Sequence, residues 1–183
     1  MFKGAQLDAA VRTLVSRPLK NIFYRAMLLK FARDPLGKLR SIRRNRFNID
    51  NGARVLYLAE NVPTALQETQ AFGFLPHAVV IVPVEVDLQA VIDLRDPAIQ
   101  TALQLTAHDL AINFRAISAG GPLAATQELG ECAAASGCID GFLYESLAMP
   151  GSVNLAVFED NLVPLKSSLI VDDPTNNLHE TLP

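Results

Sequence analysis

Tryptophan is absent from this 183-residue chain, cysteine occurs twice, and histidine and methionine three times each. Cys132 and Cys138 form no CxxC pair, and His77, His108 and His179 lack HExxH spacing. Neither a zinc framework nor a thioredoxin-like redox motif is present, no metal ligand is assigned, and both thiols read as buried and free. No apolar run approaches the roughly 20 residues that a membrane helix needs. Lys3, Asp8 and Arg12 interrupt the apolar residues at the N-terminus, so no signal peptide or anchor is expected, and the location reads as cytoplasmic. No Gly-x-Gly-x-x-Gly opens a helix, so a Rossmann-type redox enzyme is not supported.

What the chain does have is apolar mass: half its residues are hydrophobic, enough for one domain to bury a sizeable core without disulfides or metal. The net charge of −3 hides an asymmetry. Residues 1–46 hold twelve Lys/Arg against two Asp/Glu, whereas residues 47–183 hold four against seventeen. This points to an anionic ligand or partner near the N-terminal part. A nucleic-acid-binding arm is the rival reading. Against it, Leu28, Leu29, Phe31, Leu36 and Leu39 lie among the basic residues and predict packing on the domain.

Leu7, Ala10, Val11, Leu14 and Val15 recur at helical spacing until Pro18, which gives a short amphipathic helix. Phe23 to Ala26 reads as a strand, and Asp34 to Asn45 as a loop. Arg54 to Ala59 is strand-like, and Asn61 with Pro63 opens a helix to about Ala71. His77 to Val86 and Val91 to Leu94 read as two further strands, with Pro83 marking an edge or bulge. Asp96-Pro97 opens another helix, Thr106 and Asp109 have capping-box spacing, and Gly120-Gly121-Pro122 is a turn. Thr126 to Ala135 reads as a helix ended by Gly137, and Phe142 to Tyr144 and Val153 to Phe158 as the last two strands. At least the last ten residues are expected to be loosely held. Short strands mixed irregularly with helices predict a single α+β domain built on a mixed sheet with flanking helices.

Within this frame Arg46, Tyr57 and Glu68 stand at equal intervals of eleven residues. A guanidinium that pairs with anions, a ring that stacks on a flat base and a lone carboxylate suit a dinucleotide whose glycosidic bond is to be broken. The surrounding text is Arg46-Phe47-Asn48, Val55-Leu56-Tyr57-Leu58-Ala59 and Thr64-Ala65-Leu66-Gln67-Glu68. Later come Thr126-Gln127-Glu128-Leu129-Gly130, Asp140-Gly141-Phe142-Leu143-Tyr144-Glu145-Ser146 and Gly151-Ser152-Val153-Asn154-Leu155-Ala156-Val157-Phe158.

These motifs, in this order over roughly residues 22 to 160, resemble the RES-domain family, named for its arginine, glutamate and serine. Ser146 takes the place of the serine. The chain departs from the family pattern at Ile49-Asp50-Asn51-Gly52, where Pro-Pro-Gly is usual. It departs again at Glu145, in place of a proline, and at Ala148, in place of an arginine that would offer a phosphate contact. The resemblance implies a fold similar to the ADP-ribosyltransferases and a toxin of a type II toxin–antitoxin system that consumes NAD. It implies that Glu68 and Ser146 are catalytic and that Arg46, Tyr57 and, more weakly, Arg25 bind NAD. Arg46 would pair with phosphate, Tyr57 would wall in nicotinamide, and Glu68 would stabilise the charge that develops on the ribose. NAD is then a substrate and no resident cofactor is implied, with water or inorganic phosphate as acceptor. The implied partner is an Xre-type antitoxin, through which alone nucleic acid would be contacted, and no membrane partner is implied. The expected organisation is a packed helix in 1–21, the catalytic domain in 22–160 and a polar tail in 161–183. A transferase that modifies a protein and a non-catalytic nucleic-acid-binding or scaffold protein are the alternatives.

Overall fold

In the computed structural model, residues 1–38, 42–71, 77–112 and 121–183 are described. Leu39 and Gly120 of the sequence reading lie outside them. Among the described residues seven strands form one mixed sheet: β1 (Arg17–Leu28), β2 (Val55–Ala59), β3 (Val79–Asp93), β4 (Gly141–Glu145), β5 (Val153–Phe158), β6 (Ser168–Asp173) and β7 (Leu178–Leu182). Their order is β1-β2-β5-β4-β3-β6-β7, and β1 also pairs with β3. The first five strands therefore close into a ring, with β6 and β7 continuing from β3. Among these strands β3 and β4 run parallel, and the other described pairs are antiparallel. The α+β mixed sheet expected from the sequence is present.

Strand alternation divides the core in two. Leu56, Leu58, Leu155 and Val157 point into one cluster with Phe23, Val84 and Leu88. Val55, Ala156, Phe158, Phe142 and Tyr144 point to the other, which α1 (Gly4–Arg12), α3 (Pro97–Leu103) and α5 (Ala125–Ser136) supply with Leu7, Val11, Leu103 and Leu129. Phe142 is fully buried, edge-on to Phe158 at 5.0 Å and to Phe47 at 5.5 Å. Such aromatic pairs add to the area that each ring buries.

Local chemistry accounts for the helix ends. Asn61 accepts the Thr64 amide before α2 (Val62–Ala71), Asp96 accepts the Ala98 amide before α3, and Thr106 with Asp109 completes a capping box on α4 (Ala107–Ala111). Gly137 ends α5 at φ 66°.

Several expectations are corrected. The expected strands at 77–86 and 91–94 are one strand, because the Asp140 carboxylate accepts the Gln89 and Ala90 amides where β3 changes partner from β6 to β4. Residues 161–183, expected as a polar tail with its last ten residues loosely held, carry β6 and β7. Leu169 and Val171 are buried, Leu178 and Leu182 pack on the same cluster, and β7 pairs with β6 through all five of its residues, Leu178–Leu182. The boundary at residue 21 falls inside β1, which starts at Arg17 and absorbs Pro18 at an irregularity in its pairing with β3. Among the basic segment's apolar residues Leu36 is buried, but Leu29 and Phe31 are exposed. The thiols are not both buried: Cys132 is half-buried and Cys138 exposed.

Candidate functional site

Glu68 lies in the second turn of α2 and is half-buried. Its Oε1 accepts a hydrogen bond from the Ser146 hydroxyl at 2.7 Å and another from Asn154 Nδ2 at 2.6 Å. Both donors belong to the β4–β5 hairpin, where Asn154 pairs with Tyr144 in register and the Ser146 amide donates to the Ser152 carbonyl. The Ser146 oxygen also accepts the Met149 amide at 3.0 Å. The carboxylate and serine named from the sequence are thus in direct contact. Asn154 was quoted there as part of a motif but given no role; a buried amide at 3% exposure beside a carboxylate marks it as part of the site.

Arg46 sits in a tight turn closed by a bridge between Asn45 and Asn48, and its side chain is 7% exposed. The guanidinium donates to the Leu110 carbonyl and, at 3.5 Å, to the Glu145 carbonyl, and it lies 4.7 Å over the Tyr144 ring. Its buried Nε has no acceptor among the described residues. Burial pushes the Arg46 pKa down, opposed among others by Glu68 and Glu145. Burial likewise pushes the Tyr144 hydroxyl up, so that ring is neutral. Through Glu145, the neighbour of Ser146, Arg46 is tied to the strand end that carries the serine.

Tyr57 reaches the Arg46 turn through its hydroxyl. Its hydroxyl accepts the Phe47 amide at 2.9 Å and donates to Asn48 Oδ1 at 2.8 Å, so it braces the Arg46 turn. The tyrosine that faces the guanidinium is Tyr144. Arg25 donates to the Pro35 carbonyl, in the segment after β1. The second arginine beside Arg46 is Arg95, whose forked contact with Asp93, at 2.8 and 2.6 Å, raises its pKa. Together with Leu110, Gln100, Tyr144 and Glu145, these arginines line a pocket of about 190 Å³. Glu68, Ser146 and Tyr57 are not among its lining residues. Among the described residues no group of three or more His, Cys, Asp or Glu is placed to hold a metal ion.

Fold and site together describe an α+β domain with a carboxylate held by serine and asparagine and a buried arginine bonded to the residue before that serine. A family model described as "RES domain" matches residues 22–177, and the chain belongs to that family. Its matched region runs past residue 160 to include β6. The fold is also similar to a solved structure titled as the crystal structure of the M. tuberculosis MbcT-MbcA toxin-antitoxin complex. That match has a TM-score of 0.70 and 21% identity, and covers 94% of this chain and 95% of the other. A search of curated proteins gives no match.

Proposed function

We propose that the chain is the toxin of a toxin–antitoxin pair and that it depletes NAD by cleaving the bond between nicotinamide and ribose. The observation that carries this reading is the Glu68 carboxylate, oriented by Ser146 and Asn154, with the buried Arg46 bonded to the Glu145 carbonyl one residue before that serine.

In this reading the C1′–N bond breaks and its electron pair neutralises the pyridinium nitrogen, so nicotinamide leaves without needing a proton. Positive charge then spreads over C1′ and the ring oxygen of the ribose. A fixed carboxylate is suited to stabilise that charge because the two donors hold it in place before the reaction begins. An oxygen of water or inorganic phosphate forms the new bond to C1′ and loses its proton to solvent. Arg46 is a planar fork suited to a phosphate oxygen, which would compete with the backbone carbonyls of Leu110 and Glu145 for its N–H groups. Tyr57 holds the Arg46 turn through its hydroxyl and would wall in nicotinamide with its ring, and Arg25 would offer a second, weaker phosphate contact.

Family membership supports the NAD-acting reading, and the similar fold in a toxin–antitoxin complex supports a protein antitoxin as partner. We assign that partner to the Xre type and the site of action to the cytoplasm, where NAD is available. Among the described residues no helix is long and apolar enough to cross a membrane. The test is incubation of the purified chain with NAD, with and without phosphate, and identification of the products. Free nicotinamide with ADP-ribose or its 1″-phosphate is expected; intact NAD would refute the reading.

A further inference from the structure

Arg46 is held from both sides by one face of α5. Gln127, Gly130 and Glu131 are spaced i, i+3 and i+4, so they share that face. The fully buried Gln127 donates through Nε2 to the Asn45 carbonyl at 3.0 Å, immediately before Arg46. Gly130 meets the Phe47 carbonyl, immediately after Arg46, so closely that a Cβ there would overlap it. Glu131 Oε1 accepts the Ile49 amide at 3.0 Å and the Ala53 amide at 3.1 Å, the latter shared with Oε2 at 3.3 Å.

The segment between those two amides, Ile49-Asp50-Asn51-Gly52, contains no proline to restrict it, and Asn51 adopts a left-handed φ of 58°. Such a loop loses much conformational freedom when fixed, and a single carboxylate bonded to both of its ends is an economical restraint. Gly52 packs directly on that carboxylate, leaving no room for a side chain.

We infer that Glu131 is a positioning residue, which sets the Arg46 guanidinium by clamping the loop that follows it, with Gln127 and Gly130 as the other contacts of the clamp. The assignment rests on the NAD-cleaving reading for its kinetic consequence but not for its structural one. Asp140 is the internal comparison: its carboxylate also accepts two backbone amides, those of Gln89 and Ala90, and a hydroxyl, that of Ser167, but in β3 and away from the Arg46 turn.

The full chain is used for the test. In Glu131→Ala, amide exchange at Ile49 and Ala53 accelerates and the NMR signal of the Arg46 guanidinium shifts or broadens. KM for NAD rises about tenfold or more while kcat stays within about threefold, as expected of a displaced binding group. Glu131→Gln, which keeps an acceptor oxygen, restores most of the loss. Asp140→Asn lowers the melting temperature without moving KM. Unchanged exchange in Glu131→Ala overturns the clamp, and so does faster exchange with a wild-type KM. An equal rise of KM in Asp140→Asn overturns it too, by reducing the effect to general destabilisation. If the wild-type chain leaves NAD intact, the NAD reading fails on its own. The Arg46 signal then decides: an unchanged signal in Glu131→Ala refutes the clamp, and an altered one supports it.

Discussion

Replacing Glu68 by glutamine separates charge from shape at the centre of the site. Glutamine keeps a carbonyl oxygen in the position of Oε1, so Ser146 and Asn154 retain an acceptor at what are now 2.7 and 2.6 Å. What is lost is the negative charge. Each of the two bonds falls from charge-assisted to neutral strength, a loss of about 1 kcal/mol apiece. In a domain of this size that corresponds to a melting temperature lower by roughly 4–8 °C. The effect on turnover is larger. Removing a preorganised group aimed at developing charge costs roughly 100- to 1,000-fold in kcat. The assay is nicotinamide release by the two proteins at saturating NAD, alongside thermal unfolding of each. A folded Glu68→Gln protein with wild-type kcat would refute the role assigned to the carboxylate.

Arg46→Lys keeps the charge but not the fork, so lysine cannot serve both carbonyl contacts or grip a phosphate in two places; losing one charged hydrogen bond predicts about 10- to 100-fold weaker NAD binding, measured by titration. Asn154→Ala leaves Glu68 with Ser146 as its remaining described donor and is expected to lower kcat in the same direction as Glu68→Gln but by less, which parallel turnover assays would establish. Phe142→Ala removes a fully buried ring packed on Phe47 and Phe158, and a loss of about 3–5 kcal/mol is expected in denaturant unfolding. Thiol alkylation followed by mass mapping should label the exposed Cys138 before Cys132, whose thiol is pushed up in pKa by burial and by the Asp8 carboxylate next to it.

The sequence was most readable where chemistry is local. Asn61, Asp96 and the pair Thr106 and Asp109 announce their helices because a cap bonds amides two or three residues away. The contact between Glu68 and Ser146 joins residues 78 apart, and only ordered motifs hinted at it. The merger of two strands into β3 was not readable because it depends on Asp140, some fifty residues further along. The strands in 161–183 were missed because the polar residues Asp172, Asp173, Asn176 and Asn177 outweighed the alternation of Leu169 and Val171. Arg25 was named, more weakly than Arg46, through the family resemblance. Arg95, which lines the pocket with Arg46, had no such signal, since the chain around it is acidic and its approach to Arg46 is purely tertiary.

The central claim is that this site breaks the nicotinamide–ribose bond. The most direct measurement is chromatography and mass analysis of NAD incubated with the purified chain, with and without inorganic phosphate and beside the Glu68→Gln protein. The account predicts free nicotinamide in step with loss of NAD, and ADP-ribose or ADP-ribose 1″-phosphate as the second product, all formed roughly 100- to 1,000-fold more slowly with Glu68→Gln. NAD that survives the wild-type chain, or nicotinamide release that Glu68→Gln leaves unchanged, would contradict it.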